Sequence, residues 1–218
     1  MTEALFFDLH VTNYEEVYTL QKRLAALVAE GSFQQVLLLL EHAPVYTIGK
    51  SGSERNVPHR ITVLPVDRGG NITYHGPGQL VGYPILHLGS RRVSHYIRAL
   101  EKSLILLLEK YSIKAFIKEG FPGVWVGKEK IASVGVRVKR NVSYHGFALN
   151  VTTDLEAFQV IRPCGLDVTV TSVQKLLNRK IPMQQAKRDY CDAFEECFNV
   201  SLIEGDIALL SHIQNFNF

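Results

Sequence analysis

The sequence is short of the features that mark several common protein classes. Its 218 residues include three cysteines, Cys164, Cys191 and Cys197. That odd number, with no C-x-x-C spacing, argues against a disulfide framework and suits a reducing cytoplasm. None of the eight histidines forms an H-x-x-x-H pair or adjoins a cysteine at ligand spacing, so no metal site is expected. The longest apolar runs, VLLLLE from Val36 and LILLL from Leu104, fall far short of the ~20 residues a membrane span requires. The opening MTEALFFDLHVTNYEE carries acids early, with neither a basic leader nor a small-residue cleavage site, so the mature chain is expected to start near Met1. A formal net charge of +3 without a concentrated basic stripe speaks against nucleic-acid binding.

What remains is ordinary in bulk and particular in detail. With 46% hydrophobic and 21% charged residues, the chain can bury a sizeable core, and a single domain over residues 1–218 is expected. LFFDLHV reads as a first strand, and Asn13 as the N-cap of a helix from Tyr14 to about Glu30 that Gly31 ends. QVLLLLEH reads as a strand buried on both faces, with VYTIG another. ITVLPVDR and QLVGYPIL are strand-like on either side of a glycine-dense stretch. Ser94 is a candidate N-cap for an amphipathic helix through Tyr111. GVWVGKEKIASVGVRVKRNVSYHGFALNV reads as three strands, with turns near 127–129 and 140–141. Thr171 or Ser172 caps a short helix, and Gln184 to Phe198 forms a last amphipathic one. The tail from Gly205 is either a small ordered element or a frayed end. Helices and strands cluster and do not strictly alternate, which indicates an α+β fold with a mixed, largely antiparallel sheet flanked by helices.

Several stretches could carry chemistry. RGGNITYHGPG, from Arg68 to Gly78, lies between two strands, and its glycines allow close backbone approach to a ligand with N–H groups left free. It is not a nucleotide phosphate loop: IGKS at 48–51 imitates the end of one, but the first glycine would fall on Pro44. KEK at 128–130 sits at a hairpin turn, where a solvated charged turn is the plain alternative to a catalytic lysine; spacing alone leaves Lys128 and Lys130 equal. Gly135 and Gly146 mark bulges or close approaches within strands. In IRPCGL, Pro163 fixes one dihedral and Gly165 permits a sharp turn, a setting that projects the Cys164 thiol from a loop; a nearby ammonium would favour its thiolate. A buried structural thiol is the competing reading.

Taken in order, HAPVYTIGK, RGGNITYHGPGQLVGYP, KIASVGVRV, SYHGFALNV and RPCGLDVTVTSV resemble the lipoyl(octanoyl) transferase family, also called lipoate-protein ligase B, from roughly residue 40 to residue 177. Asn71 and Arg162 depart from its commoner residues. The resemblance implies an α+β fold of the biotin and lipoate protein ligase kind. It also implies transfer of octanoyl from octanoyl-acyl carrier protein to a lysine of lipoyl domains, in the 2-oxo-acid dehydrogenase complexes and the glycine cleavage H protein. Carried over by position, Cys164 is the nucleophile that forms an acyl thioester and Lys130 its partner, as general base or as thiolate-stabilising cation. The acyl-binding segments fall on Arg68, Gly69, Gly70, Asn71, Ile72, Thr73, Tyr74 and His75, on Ser133, Val134 and Gly135, and on Gly146, Phe147 and Ala148. No cofactor is implied, because a thioester is already activated. Arg91, Arg92, Lys139 and Arg140 are expected to help recruit acidic carrier and lipoyl domains, in a cytoplasmic setting. The rival readings are an ATP-dependent lipoate or biotin ligase and a non-catalytic acyl-binding protein.

Overall fold

A computed structural model describes residues 2–52, 61–161 and 169–214. Among these, eleven strands and five α-helices form a large mixed sheet and a small one. The chain opens with β1 (Thr2–Thr12) and α1 (Tyr14–Ala29), followed by β2 (Val36–His42). Asn13 caps α1, its Oδ1 accepting from the Glu15 N–H at 2.9 Å. β2 is buried on both faces: Leu37 and Leu39 join one core, Val36, Leu38 and Leu40 the other. A continuous apolar run therefore marks a central strand, since both faces of residues 36–40 pack against apolar side chains.

β3 (Val45–Ile48), β4 (Val63–Pro65) and β5 (Ile72–His75) form the small sheet in the order β4-β3-β5. β5 falls inside the glycine-dense stretch, where no strand is expected from composition. Its pairing with β3, Tyr74 opposite Tyr46, supplies the order that local propensity does not. β6 (Gln79–Ile85) then enters the large sheet, and α2 (Val93–Lys110) follows. α2 starts ahead of Ser94: Arg92 occupies the N-cap position, and no side chain caps the helix. Its first turn carries Val93 and Ile97 to a cavity.

β7 (Phe116–Ile117), β8 (Gly123–Val126), β9 (Glu129–Lys139) and β10 (Val142–Asn150) are antiparallel neighbours, as the turn signals suggest. Between β9 and β10, Arg140 and Asn141 take φ of 49° and 64°, the paired left-handed geometry that suits a two-residue hairpin. A 3-10 turn at Glu156–Val160 precedes α3 (Val173–Leu177), α4 (Met183–Phe198), β11 (Val200–Glu204) and α5 (Ala208–Gln214). Ser172 settles the cap of α3, its Oγ accepting from the Lys175 N–H at 3.2 Å.

The large sheet runs β11-β1-β2-β6-β10-β9-β8-β7, with β1 parallel to both β2 and β11 and the other pairs antiparallel. α2 and α4 cover one face, through Leu100, Leu104, Tyr190 and Phe194; α1 covers the other, through Val17, Leu20 and Leu24. The small sheet rests on the 3-10 turn through Ile72, Tyr74, Phe158 and Ile161. Among the described residues no helix is long and apolar enough to cross a membrane.

Candidate active site

The loop between β4 and β5 folds down onto β9 and β10, and a cavity of about 450 Å³ opens where they meet. The contact is backbone to backbone: the Gly69 N–H donates to the Val136 carbonyl at 3.0 Å. Only glycine suits position 135, because a Cβ there would lie 2.9 Å from the Gly69 carbonyl oxygen. Gly135 pairs directly with Gly146 across the sheet.

Arg68, Gly69, Gly70, Asn71, Ile72, Thr73 and His75 line this cavity, with Ser133, Val134 and Gly135 from β9 and Gly146, Phe147 and Ala148 from β10. Tyr74 stands apart. Its ring turns to the opposite side of β5, packing 5.2 Å from Tyr46 and 5.6 Å from Phe158. Sequence reasoning also misses much of the wall. Val93 and Ile97 from α2, Phe121 and Trp125 around β8, and Phe158 and Val170 on either side of residues 162–168 give the cavity its apolar character. Nothing in their local sequence separates them from ordinary core residues.

Lys130 lines the cavity, whereas Lys128 is exposed in the turn before β9. An irregularity in the pairing of β8 with β9 places Trp125 opposite Lys130, whose Nζ lies 5.7 Å from the indole centroid. Gly123 makes room for this side chain: at φ 124° it holds a backbone that L side chains rarely adopt, and a Cβ would lie 2.6 Å from Lys130 Cε. The Gly123 N–H donates at 2.9 Å to the buried Glu101 carboxylate from α2. The Lys130 backbone makes two further bonds, its N–H to the Thr169 carbonyl at 2.9 Å and its carbonyl from the Thr171 N–H at 3.0 Å.

Cys164 lies outside the described residues. The other two cysteines are unsuited to act as thiolates: burial, then the Asp192, Glu195 and Asp8 carboxylates, push the Cys191 thiol up to about 12, and burial also raises Cys197. Of the expected recruiting residues, Arg140 pairs with Glu30 at 2.9 Å on the surface, and Arg91, Arg92 and Lys139 are exposed. The loops that carry them are joined by the Asn141 amide, which donates to the Gly89 carbonyl at 2.8 Å.

Beside the glycine loop, Asp67 collects three donors: His145 Nε2 at 2.9 Å, the Tyr18 hydroxyl at 2.8 Å and the Tyr144 hydroxyl. Burial opposes its ionisation, but these donors outweigh that and hold the carboxyl well below the usual range. Burial lowers His145 despite the Asp67 carboxylate. At neutral pH the contact is therefore a hydrogen bond from a neutral imidazole, though its geometry alone would also fit an ion pair. His145 has a φ of 56°, a costly conformation for a non-glycine residue. It is held there by the Gln21 amide oxygen, which accepts its N–H at 2.8 Å, and by stacking on Tyr18 and Tyr144.

Comparison with known proteins follows the same lines. A family model described as the lipoyl protein ligase A/B catalytic domain matches residues 13–195. The chain is 44% identical to an octanoyltransferase from Syntrophotalea carbinolica, over 93% of this chain and 98% of that protein. It is 46% identical to an octanoyltransferase from Geotalea uraniireducens, over 86% and 90% respectively. Among solved structures, the chain resembles a bi-partite lipoate protein ligase from Thermoplasma acidophilum with a TM-score of 0.75, at 14% identity over 94% of this chain and 87% of that one. It also resembles the biotin protein ligase of Aquifex aeolicus with a TM-score of 0.54, at 12% identity over 91% and 70%. At those identities the structural likeness speaks to the fold, which is the α+β arrangement expected from the sequence.

Proposed function

The chain belongs to the lipoyl protein ligase A/B catalytic-domain family and is an acyltransferase, and from that premise we propose that it moves an octanoyl group from octanoyl-acyl carrier protein to a lysine of lipoyl domains. The acceptors would be those of 2-oxo-acid dehydrogenase complexes and the glycine cleavage H protein. The observation that carries this reading is the apolar cavity itself, closed by glycine backbone on one side and reached by a lysine on another. Its volume lies within the range of small-molecule sites. Burying most of the seven carbons beyond the octanoyl carbonyl would contribute roughly 5 kcal/mol at about 0.8 kcal/mol per methylene.

In this proposal Cys164 attacks the carrier thioester and holds the acyl group as a new thioester. Lys130 would act on it, either as an ammonium that favours thiolate or as an amine that takes the proton. The support is positional. Phe158 and Val170, described residues flanking the segment that contains Cys164, line the cavity, and Thr169 is hydrogen-bonded to Lys130. Backbone N–H groups of the glycine loop are candidate donors to the tetrahedral oxyanion. The acyl group passes next to the acceptor lysine, and the thiol is restored.

The test is an intact-mass measurement on the pure protein. Incubated with octanoyl-acyl carrier protein and no ATP, it should gain one octanoyl group on Cys164 and lose it when a lipoyl domain is added. Transfer by Cys164→Ala at the parental rate would refute the covalent route, and a strict need for ATP and free octanoate would favour a ligase.

A further inference from the structure

Two backbone carbonyls orient a buried chain of amides that ends on His75. The Thr171 carbonyl accepts from Asn150 Nδ2 at 3.0 Å. A carbonyl can only accept, so Asn150 turns its Oδ1 to Gln79, whose Nε2 donates to it at 2.9 Å and to the Tyr74 carbonyl at 3.2 Å. Gln79 must then present Oε1 to His75 Nδ1, 2.8 Å away, and that nitrogen carries the proton. Burial first, then His42 and the Arg68 guanidinium, hold the ring well below its ordinary pKa and so neutral. A neutral ring protonated on Nδ1 has a bare lone pair on Nε2. His75 lines the cavity, and no residue among those described donates to that lone pair.

The ring is held as firmly as its tautomer. Tyr14 from α1 stacks on it at 5.5 Å, and His42 from β2 meets it edge-on at 5.7 Å. Among the described residues, the ionisable side chains whose charge acts on it are His42, Arg68 and His145. None is a carboxylate. The site therefore keeps His75 as a lone-pair acceptor and disfavours its storing a proton.

We propose that His75 Nε2 accepts a hydrogen bond from the lysine amine that attacks in the second half of the acyl-transfer reaction. This deepens the function proposed above and rests on it. An acyl carbonyl and its oxyanion need donors, so a bare lone pair serves neither. The incoming amine is the reactant that brings N–H groups to the acyl carbon. Holding one N–H aims the nitrogen lone pair at the carbonyl, and the Arg68 charge favours the neutral amine over ammonium. The C–N bond forms and the C–S bond of the Cys164 thioester breaks. The electron pair leaves on sulfur, and the proton shed by nitrogen ends there, with no change of oxidation state. As C–N forms, the nitrogen becomes more positive and its N–H a stronger donor, so the contact strengthens toward the transition state.

Two measurements test this. In single-turnover experiments on the full chain, His75→Asn keeps a donor for Gln79 but has nothing at the Nε2 position. Its transfer of the group to the lipoyl domain should slow about a hundredfold more than its acylation from octanoyl-acyl carrier protein. His75→Gln, which returns an amide to the Nε2 position, should recover part of that loss. Equal slowing of both halves, or unimpaired transfer, overturns the proposal. A parent that forms no Cys164 adduct instead removes the function it rests on. Independently, long-range proton–nitrogen NMR of the imidazole should show the Nδ1-protonated tautomer from pH 6 to 8. An Nε2-protonated or cationic ring overturns the proposal whatever the activity.

Discussion

Lowering the pH from 7 to 5 should weaken the fold through its buried imidazoles before any carboxylate responds. His42 is the clearest case: burial lowers its pKa from 6.5 to about 4, while its neutral ring donates from Nδ1 to the Thr12 carbonyl at 3.2 Å and accepts at Nε2 from the Tyr83 hydroxyl at 2.7 Å. Between those two values the unfolded chain binds a proton that the native state refuses, so stability falls as pH falls. The slope is about 1.4 kcal/mol per pH unit for one such group, or about 3 kcal/mol across the whole window. His75 and His145 are shifted in the same direction, so the parent slope should exceed one proton. Asp67 acts lower on the scale. Its depressed pKa contributes stability above the unfolded carboxylate value near ~3.9, and that is lost as pH drops further, toward the folded value. Urea unfolding at pH 7, 6 and 5 measures the slope directly. His42→Gln should reduce it by about 1 kcal/mol per unit between pH 6 and 5, whatever its effect on absolute stability. A flat profile between pH 7 and 5, or an unchanged slope in the variant, would refute the burial of a neutral His42.

Two further outcomes follow from the cavity. Lys130→Ala should abolish most octanoyl transfer in a steady-state assay while Lys128→Ala retains it, because only Lys130 lines the cavity; equal losses would show that the turn itself matters. Gly135→Ala puts a Cβ 2.9 Å from the Gly69 carbonyl oxygen and should cost about 1–3 kcal/mol by forcing the glycine loop off β9. A lowered urea midpoint together with weaker octanoyl-substrate binding would report that displacement, and no change in either would contradict the contact.

The elements legible in the sequence are those with a strong local signal. Asn13 before a helical apolar period, the unbroken VLLLLE run and the turn pair Arg140–Asn141 each encode their structure within a few residues. β5 and the start of α2 are less legible, because one is ordered by its pairing with β3 and the other begins without a side-chain cap. Within the cavity, the glycine loop and the β9 and β10 segments stand out as motifs, whereas Val93, Trp125, Phe158 and Val170 line it only because distant elements converge.

The sequence by itself determined the α+β class, the two-faced central strand, the family to which the chain belongs and the glycine positions where backbones meet. Only the tertiary structure decided between the roles of neighbouring side chains. It sent Tyr74 away from the cavity while His75 stayed, and it joined the Lys130 strand to Thr169. It also set the tautomer of two imidazoles, His145 through Asp67, 78 residues away, and His75 through an amide chain anchored on Thr171. A hydrophobic period is a local property of the chain, readable wherever it repeats. A protonation state is the sum of burial and of donors and acceptors brought from distant segments, and it exists only once the chain has folded.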